Sequence, residues 1–366
     1  VDLVQSRLDE FLAERGAELR AISPDLDVVD DCARRLLSGG KRFRALFCYW
    51  GWRGARADAA EAPAPGVTTS AAELEAVVSI AAGLEIFHAA ALVHDDIMDN
   101  SDLRRGKPSV HREFASLHAE RGWDGSSDAY GLSAALLLGD LLLGWSDELV
   151  DAGVAVAGDA AAGRAARAEF GRMRTEVTAG QYLDIFEETA WRALPDDELL
   201  SRAQRVIVYK SAKYSVEAPL AIGGSLAGGS LPQIAALRDF GLPLGIAFQL
   251  RDDLLGVFGD PAVTGKPAGD DLREGKRTVL VTLARQKLPA SAARLFDELL
   301  GDRTLEPSQI AMLQTAIRDS GAVDHVERAI AHQLERARTA LADAPLARDA
   351  RDELTALADA VTRRTS

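Results

Sequence analysis

Residues 88–111, HAAALVHDDIMDNSDLRRGKPSVH, hold the densest chemistry in the chain. An apolar helical run ends in Asp95, Asp96 and Asp99, and the basic pair Arg104 and Arg105 follows. With about 3.6 residues per turn, Asp95 and Asp99 stack on one helix face with Asp96 beside them. Like charges at that spacing cost an isolated helix roughly 0.2–0.5 kcal/mol, and Asp is a poor helix former. A cluster placed against local preference points to a site. Carboxylates on a rigid helix suit Mg²⁺, which takes one or two from the protein and fills its remaining positions with water and substrate phosphates. A solvated acidic helix end is the competing reading of this stretch alone.

A second acidic stretch, FQLRDDLLG over 248–256, follows the same plan: apolar run, Asp252-Asp253, two apolar residues, then Gly256 where the first has Asp99. Two such helix ends facing one another could hold a polyphosphate. Cations for it are concentrated locally. Gly39-Gly40-Lys41-Arg42-Phe43-Arg44 places three cations within four residues after two glycines that let backbone approach a ligand. His88 lies seven residues before Asp95, on nearly the same face. Gln181 and Asp184 sit at i,i+3, Lys210, Ser211 and Lys213 follow, and Lys266, Asp271 and Lys276 lie in a Gly- and Pro-rich loop over 259–277 that would suit a lid over phosphate.

The elements that must position these residues read as helices. Residues 2–20 form an opening helix, and 28–37 a second. Residues 53–73, with Pro63, Pro65 and Gly66, read as a surface loop. One long helix over 73–99 turns Val77, Ile80, Ala81, Leu84 and Phe87 inward. Residues 106–130 read as a loop around a short helix, and 131–150 as a largely buried helix in which Gly139 and Gly144 allow close contact. Helices follow over 164–188 and 197–218; Pro219, Gly223-Gly224 and Gly228-Gly229 mark a break before the helix from Leu231. Residues 281–366 read as a helical packing scaffold.

The chain has 366 residues and is 47% hydrophobic with only 6% aromatics, enough for a large all-helical core. A formal net charge of −14 argues against nucleic acid and anionic membrane as partners. The two cysteines, Cys32 and Cys48, have no ligand spacing and suit a reducing cytoplasm. No charged-then-apolar leader opens the sequence, and no uncharged apolar run approaches roughly 18 residues, so neither a signal peptide nor a membrane span is expected.

Together, Gly39-Gly40-Lys41-Arg42-x-Arg44, Asp95-Asp96-x-x-Asp99 with Arg104-Arg105-Gly106, Gly180-Gln181-x-x-Asp184, Lys210-Ser211, and Gln249-x-x-Asp252-Asp253 with Gly265-Lys266 resemble the trans-polyprenyl diphosphate synthase family, with most similarity to actinobacterial geranylgeranyl diphosphate synthases. The resemblance spans about 36–280. It implies a single all-α domain over 1–366 with the isoprenoid synthase fold, roughly ten or more helices around a deep central cavity, and a cytoplasmic homodimer. It also implies Mg²⁺-dependent head-to-tail condensation of isopentenyl diphosphate with an allylic diphosphate. By resemblance, Asp95, Asp99 and Asp252 bind Mg²⁺, about three ions in all, supported by Asp96 and Asp253. Arg104, Lys210, Ser211, Gln249 and Lys266 hold the allylic diphosphate. Lys41, Arg44, His88 and Arg105 hold isopentenyl diphosphate. Gln181 and Asp184 sit near the metal site as metal-water or cation-stabilising groups, Asp184 counting among the catalytic residues.

Gly256 departs from the family pattern, which often ends the second motif in Asp. Ser211 replaces a more usual Thr and keeps the hydroxyl. Product length is read above the first motif: Ala91 and Ala90, fourth and fifth before Asp95, are too small to stop a growing chain, whereas Phe87, eighth before it, could form the floor. That predicts a product beyond C15, most simply C20, with longer-chain or farnesyl synthesis as alternatives. A class I terpene cyclase would lack the second diphosphate site, and a noncatalytic partner subunit would not need both Asp pairs.

Overall fold

The computed structural model describes residues 1–56, 69–260 and 268–362. Most of the loop expected over 53–73, and the Gly265-Lys266 pair, lie outside the described residues. The fold is all-α, as expected. The described residues also contain a two-stranded ribbon pairing Leu103–Arg104 with Lys107–Pro108. The chain divides into two compact units, residues 1–168 with 222–229, and residues 169–221 with 230–366.

The first unit is built on α4 (Ala71–Met98), preceded by α1 (Asp2–Ile22), α2 (Asp27–Leu36) and α3 (Phe43–Ala55), and followed by α5 (Val110–Arg121) and α6 (Ser127–Ala155). Ser70 and Glu73 form a reciprocal capping box at the start of α4. Val77, Ile80, Ala81, Leu84 and Phe87 are buried, as their spacing predicts. At its far end α4 closes in a Schellman turn: Asn100 adopts φ +49°, its N–H returns to Ile97 O at 3.2 Å, and the Ser101 N–H returns to Asp96 O at 2.9 Å.

Helices α4 and α6 pack closely because small residues alternate along the seam. A Cβ on Gly83 would meet Val150 at 2.8 Å, one on Gly153 would meet the Ala76 carbonyl at 2.7 Å, and one on Gly139 would strike the His94 ring at 2.2 Å. Gly144 faces open space and has no such role. Two expectations need correction here. The end of the 106–130 stretch, Gly125-Ser126-Ser127-Asp128, is not all loop: α6 starts within it, and Ser126 caps the helix by accepting from the Ala129 N–H. Nor is α6 buried all round: Leu132, Leu136 and Leu137 are exposed, Leu137 at 67%, because α4 and α5 cover only one face. By length and apolarity α4 and α6 could each cross a membrane; α4 instead lies largely within the protein.

The second unit holds most of α7 (Ala160–Ala190), then α8 (Leu199–Val206), a π-helical stretch over Ile207–Glu217, and α10 (Leu231–Phe258), which follows α9 (Ala218–Leu226). The break expected from Pro219 to Gly229 falls only at its far end, where α9 stops at Leu226 and Gly228 adopts φ +70° before α10; the rod runs through Pro219. Proline clashes with the carbonyl four residues back in α geometry, and the wider π turns immediately upstream accommodate that ring without ending the rod. Gly223 does not break α9 either; a Cβ there would lie 1.9 Å from the Cys48 carbonyl, within the first unit.

The expected loop over 259–277 contains a short helix, α11 (Asp270–Glu274). Beyond it α12 (Val279–Lys287), α13 (Ala290–Leu299), α14 (Pro307–Asp319) and α15 (Ala322–Ala342) pack a core with α10 through Leu250, Leu254, Val257, Leu280, Phe296, Leu313 and Val326. Helix α16 (Arg348–Thr362) completes the unit.

Candidate active site

In the first unit, Asp95, Asp96 and Asp99 sit at the C-terminal end of α4, where the helix dipole is negative and further anionic charge is unfavourable. Arg104 offsets part of it. Its Nε donates to Asp96 Oδ1 and Oδ2 at 3.0 and 3.2 Å, and Nη2 reaches Asp95 Oδ2 at 3.3 Å. Asp96 is buried under this clamp, and Asp99 is buried beside it. The ribbon explains how Arg104 gets there. Arg105 and Gly106 both adopt positive φ, +54° and +74°, the pattern of a tight type I′ turn, which folds Arg104 back over the helix end.

The same turn delivers Arg105 to the Gly39–Arg44 loop. An ideal Cβ on Gly40 would lie 3.7 Å from Arg105 Nη1. His88 is the centre of this region: burial, then the guanidinium charges of Arg44, Arg105, Arg104 and Arg42, hold its imidazole well below the usual range, so it is neutral. Arg105 is pushed down by burial and by Arg104 and Arg42. Arg104 is engaged by Asp96 and Asp95 and Arg42 by Glu85, so the positive charge here that suits an incoming anion is that of Arg44 and Arg105. Lys41 is exposed, 5.9 Å over the Phe43 ring. Arg42, to which the resemblance gives no substrate role, turns inward and is buried on Glu85.

In the second unit, Lys210 pairs with Asp184 and Lys213 donates to Glu176 at 2.7 Å. Gly180 earns its place in the motif through backbone contact: a Cβ there would lie 2.4 Å from Lys210 N and 2.5 Å from Tyr209 C. Gly245 of α10 receives the other side of the π-helical stretch, with Ala212 O at 2.5 Å from a Cβ. Ser211 is half-buried on that stretch. Gln249 donates to Asp253 at 2.8 Å. Asp253 is buried; burial, and then the charges of Asp271, Asp252 and Asp184 against the Gln249 hydrogen bond, push its carboxyl up to about 8.

Gly256 has a spatial explanation. A Cβ at this position would lie 2.0 Å from Asp271 Oδ2, so the carboxylate of α11 fills the room that a longer residue would need. Asp271 and Glu85 are the residues whose importance the motifs understate. Glu85 could have been noticed as an acid three residues before His88 on an otherwise apolar face. Among the described residues no preformed metal cage of three or more ligating side chains occurs. The acidic stretches nevertheless fit a divalent cation that arrives with its own oxygen ligands. Each unit carries carboxylates near the C-terminal end of a long helix, where the helix dipole adds to their negative charge.

The polyprenyl synthetase family model matches residues 27–317. The chain belongs to this family. Among its relatives, the geranylgeranyl diphosphate synthase of Mycobacterium tuberculosis is 30% identical over 89% of this chain and 81% of its own. The geranylfarnesyl diphosphate synthase of Aeropyrum pernix is 32% identical over 73% of this chain and 76% of its own. The geranylgeranyl pyrophosphate synthase of Corynebacterium glutamicum, whose crystal structure is complexed with isoprenyl diphosphate and magnesium, is 39% identical with a TM-score of 0.89, covering 100% of this chain and 98% of that one. The chain is a prenyltransferase of a Mg²⁺-dependent family.

Proposed function

We propose that this prenyltransferase condenses isopentenyl diphosphate head-to-tail with an allylic diphosphate and releases geranylgeranyl diphosphate (C20). The carrying observation is the pairing, within one unit, of an acidic helix end with a second cluster in which the Arg105 guanidinium lies beside Gly40 of the loop that carries Lys41 and Arg44. That cluster is the second diphosphate site a cyclase has no use for. Lys41, Arg44, His88 and Arg105 hold isopentenyl diphosphate there. Asp95, Asp99 and Asp252, supported by Asp96 and Asp253, hold about three Mg²⁺ ions. When bound, Mg²⁺ supplies the Lewis acidity that stabilises the departing allylic diphosphate.

Arg104, Lys210, Ser211, Gln249 and Lys266 bind and orient the allylic diphosphate. The positive charges of Arg104, Lys210 and Lys266 act more strongly on the separated diphosphate than on the intact ester, which is what lowers the ionisation barrier. Asp184 restrains Lys210 until substrate arrives. No side-chain nucleophile is required: the isopentenyl double bond attacks the allylic carbon as its bond to diphosphate breaks, and the resulting cation loses a proton to the departed diphosphate.

Phe87, buried at 4% exposure, closes the tail tunnel, while Ala90 and Ala91 let the tail pass. Moving the floor from the fifth to the eighth position adds roughly 4–5 Å, close to one isoprene unit. The enzyme works in the cytoplasm as a homodimer, and the exposed Leu132, Leu136 and Leu137 face of α6 supports that assembly. The test is product mass from purified protein with Mg²⁺, isopentenyl diphosphate and each of dimethylallyl, geranyl and farnesyl diphosphate, with light scattering for the assembly. A C20 product that lengthens in Phe87→Ala supports the reading. Absence of elongation with every primer refutes the activity, an unchanged Phe87→Ala product refutes the floor, and a monomer mass refutes the dimer.

A further inference from the structure

Gly39, Gly40 and Arg42 adopt φ of +70°, +94° and +51°, so the loop leading into α3 is bent through conformations that a non-glycine residue such as Arg42 does not choose by itself. Arg42 is also the N-cap of α3, yet its cationic side chain cannot accept a hydrogen bond from the helix's open N–H groups. Something outside the loop must hold it. Glu85 does both tasks from α4, forty residues away. Its Oε2 accepts from Arg42 Nη1 at 3.3 Å and its Oε1 accepts from the Ala45 N–H at 3.1 Å. Arg42 Nη2 donates to Gln5 Oε1 at 2.7 Å and to the Leu37 carbonyl. Both members of the pair are buried, with side-chain exposures of 5% and 6%.

The geometry has a functional consequence. With Arg42 drawn inward, Lys41 is left exposed, Gly40 is set beside the Arg105 guanidinium, and Arg44 is carried to where its charge bears on His88. His88 itself lies three residues beyond Glu85 on α4. We propose that Glu85 is the positioning residue of the isopentenyl diphosphate site: its carboxylate ties the Gly39–Arg44 loop and the first turn of α3 to α4, and so registers Lys41 and Arg44 against His88 and Arg105. This rests on the functional reading above, and it assigns Glu85 no contact with substrate.

Glu85→Gln in the full chain tests it. The amide keeps the size and can still accept from the Ala45 N–H, but it loses the charge that holds Arg42. The KM for isopentenyl diphosphate rises by about tenfold or more, whereas the KM for the allylic diphosphate and kcat at saturating isopentenyl diphosphate stay within about twofold. Arg42→Gln with Glu85→Gln, a neutral pair, recovers much of the loss, and Glu85→Asp, which keeps the charge one methylene short, falls between. An unchanged isopentenyl KM in folded Glu85→Gln overturns the proposal, as does a parallel loss for both substrates. Metal-free calorimetry with inorganic pyrophosphate separates the two ideas. If the wild type fails to elongate, the functional reading falls. Weaker pyrophosphate binding by Glu85→Gln than by wild type still supports the role of Glu85, and equal binding overturns it.

Discussion

Replacing Gly180 with alanine sets one methyl group against the backbone that carries Lys210. Its Cβ would lie 2.4 Å from Lys210 N, 2.5 Å from Tyr209 C and 2.8 Å from Lys210 Cα. Ordinary carbon contacts lie near 3.5–4.0 Å, so α7 and the π-helical stretch must part by roughly 1 Å. None of the three atoms belongs to a side chain that can rotate away. Overpacking of this kind costs about 1–3 kcal/mol, and the better helix propensity of Ala returns roughly 0.5–1 kcal/mol, leaving a net loss of up to about 2.5 kcal/mol. The larger effect is on rate. Lys210 moves with its backbone relative to Asp184 and to the allylic diphosphate we propose it holds, and a misplacement near 1 Å costs on the order of 100-fold. Steady-state kinetics with isopentenyl and farnesyl diphosphates, alongside thermal melting, reads both numbers. Gly171→Ala is the control: it lies on the same helix, its Cβ would meet nothing within 4 Å, and it leaves activity unchanged while raising stability slightly. A Gly180→Ala enzyme with wild-type kcat refutes the argument that close backbone approach seats Lys210.

Gly256→Asp, which would restore the family's more usual second motif, lowers activity here because its Cβ lands 2.0 Å from Asp271 Oδ2. Adding Asp271→Gly recovers part of that loss; wild-type turnover by the single variant would show that Asp271 yields freely. The neutral state of His88 predicts a pH dependence of stability. The unfolded imidazole takes up a proton near pH 6.5 that the folded one refuses, so more protons bind the unfolded chain below that value and stability falls as pH drops from about 6.5, by up to roughly 1.4 kcal/mol per unit. His111, also pushed down by burial, acts in the same direction, so the His88 share is the difference from His88→Gln. Melting curves from pH 7.5 to 5.5 that stay parallel for the two proteins would contradict a neutral His88.

The residue patterns were enough to find the helices that matter and the chemistry they carry. Helical periodicity is local, so the buried stripe of α4 and its acidic end were legible from a few turns of sequence, and so was the repetition of that plan in α10. The motif spacing was also enough to recognise the family. What could not be read locally was direction. The motif sets Lys41 and Arg44 apart from Arg42 by resemblance alone, and the physical reason, Glu85 arriving from α4 to turn Arg42 inward, is visible only in the packed structure. Pro219 reads as a break, yet the π turns before it carry the rod through, seated between Gly180 and Gly245. Leu132, Leu136 and Leu137 read as core, but α4 and α5 leave their face of α6 uncovered. Gly256 looks like a missing carboxylate until Asp271 is seen in its space. In each case the deciding neighbour is far along the chain, and packing in three dimensions alone sets which atoms share a volume.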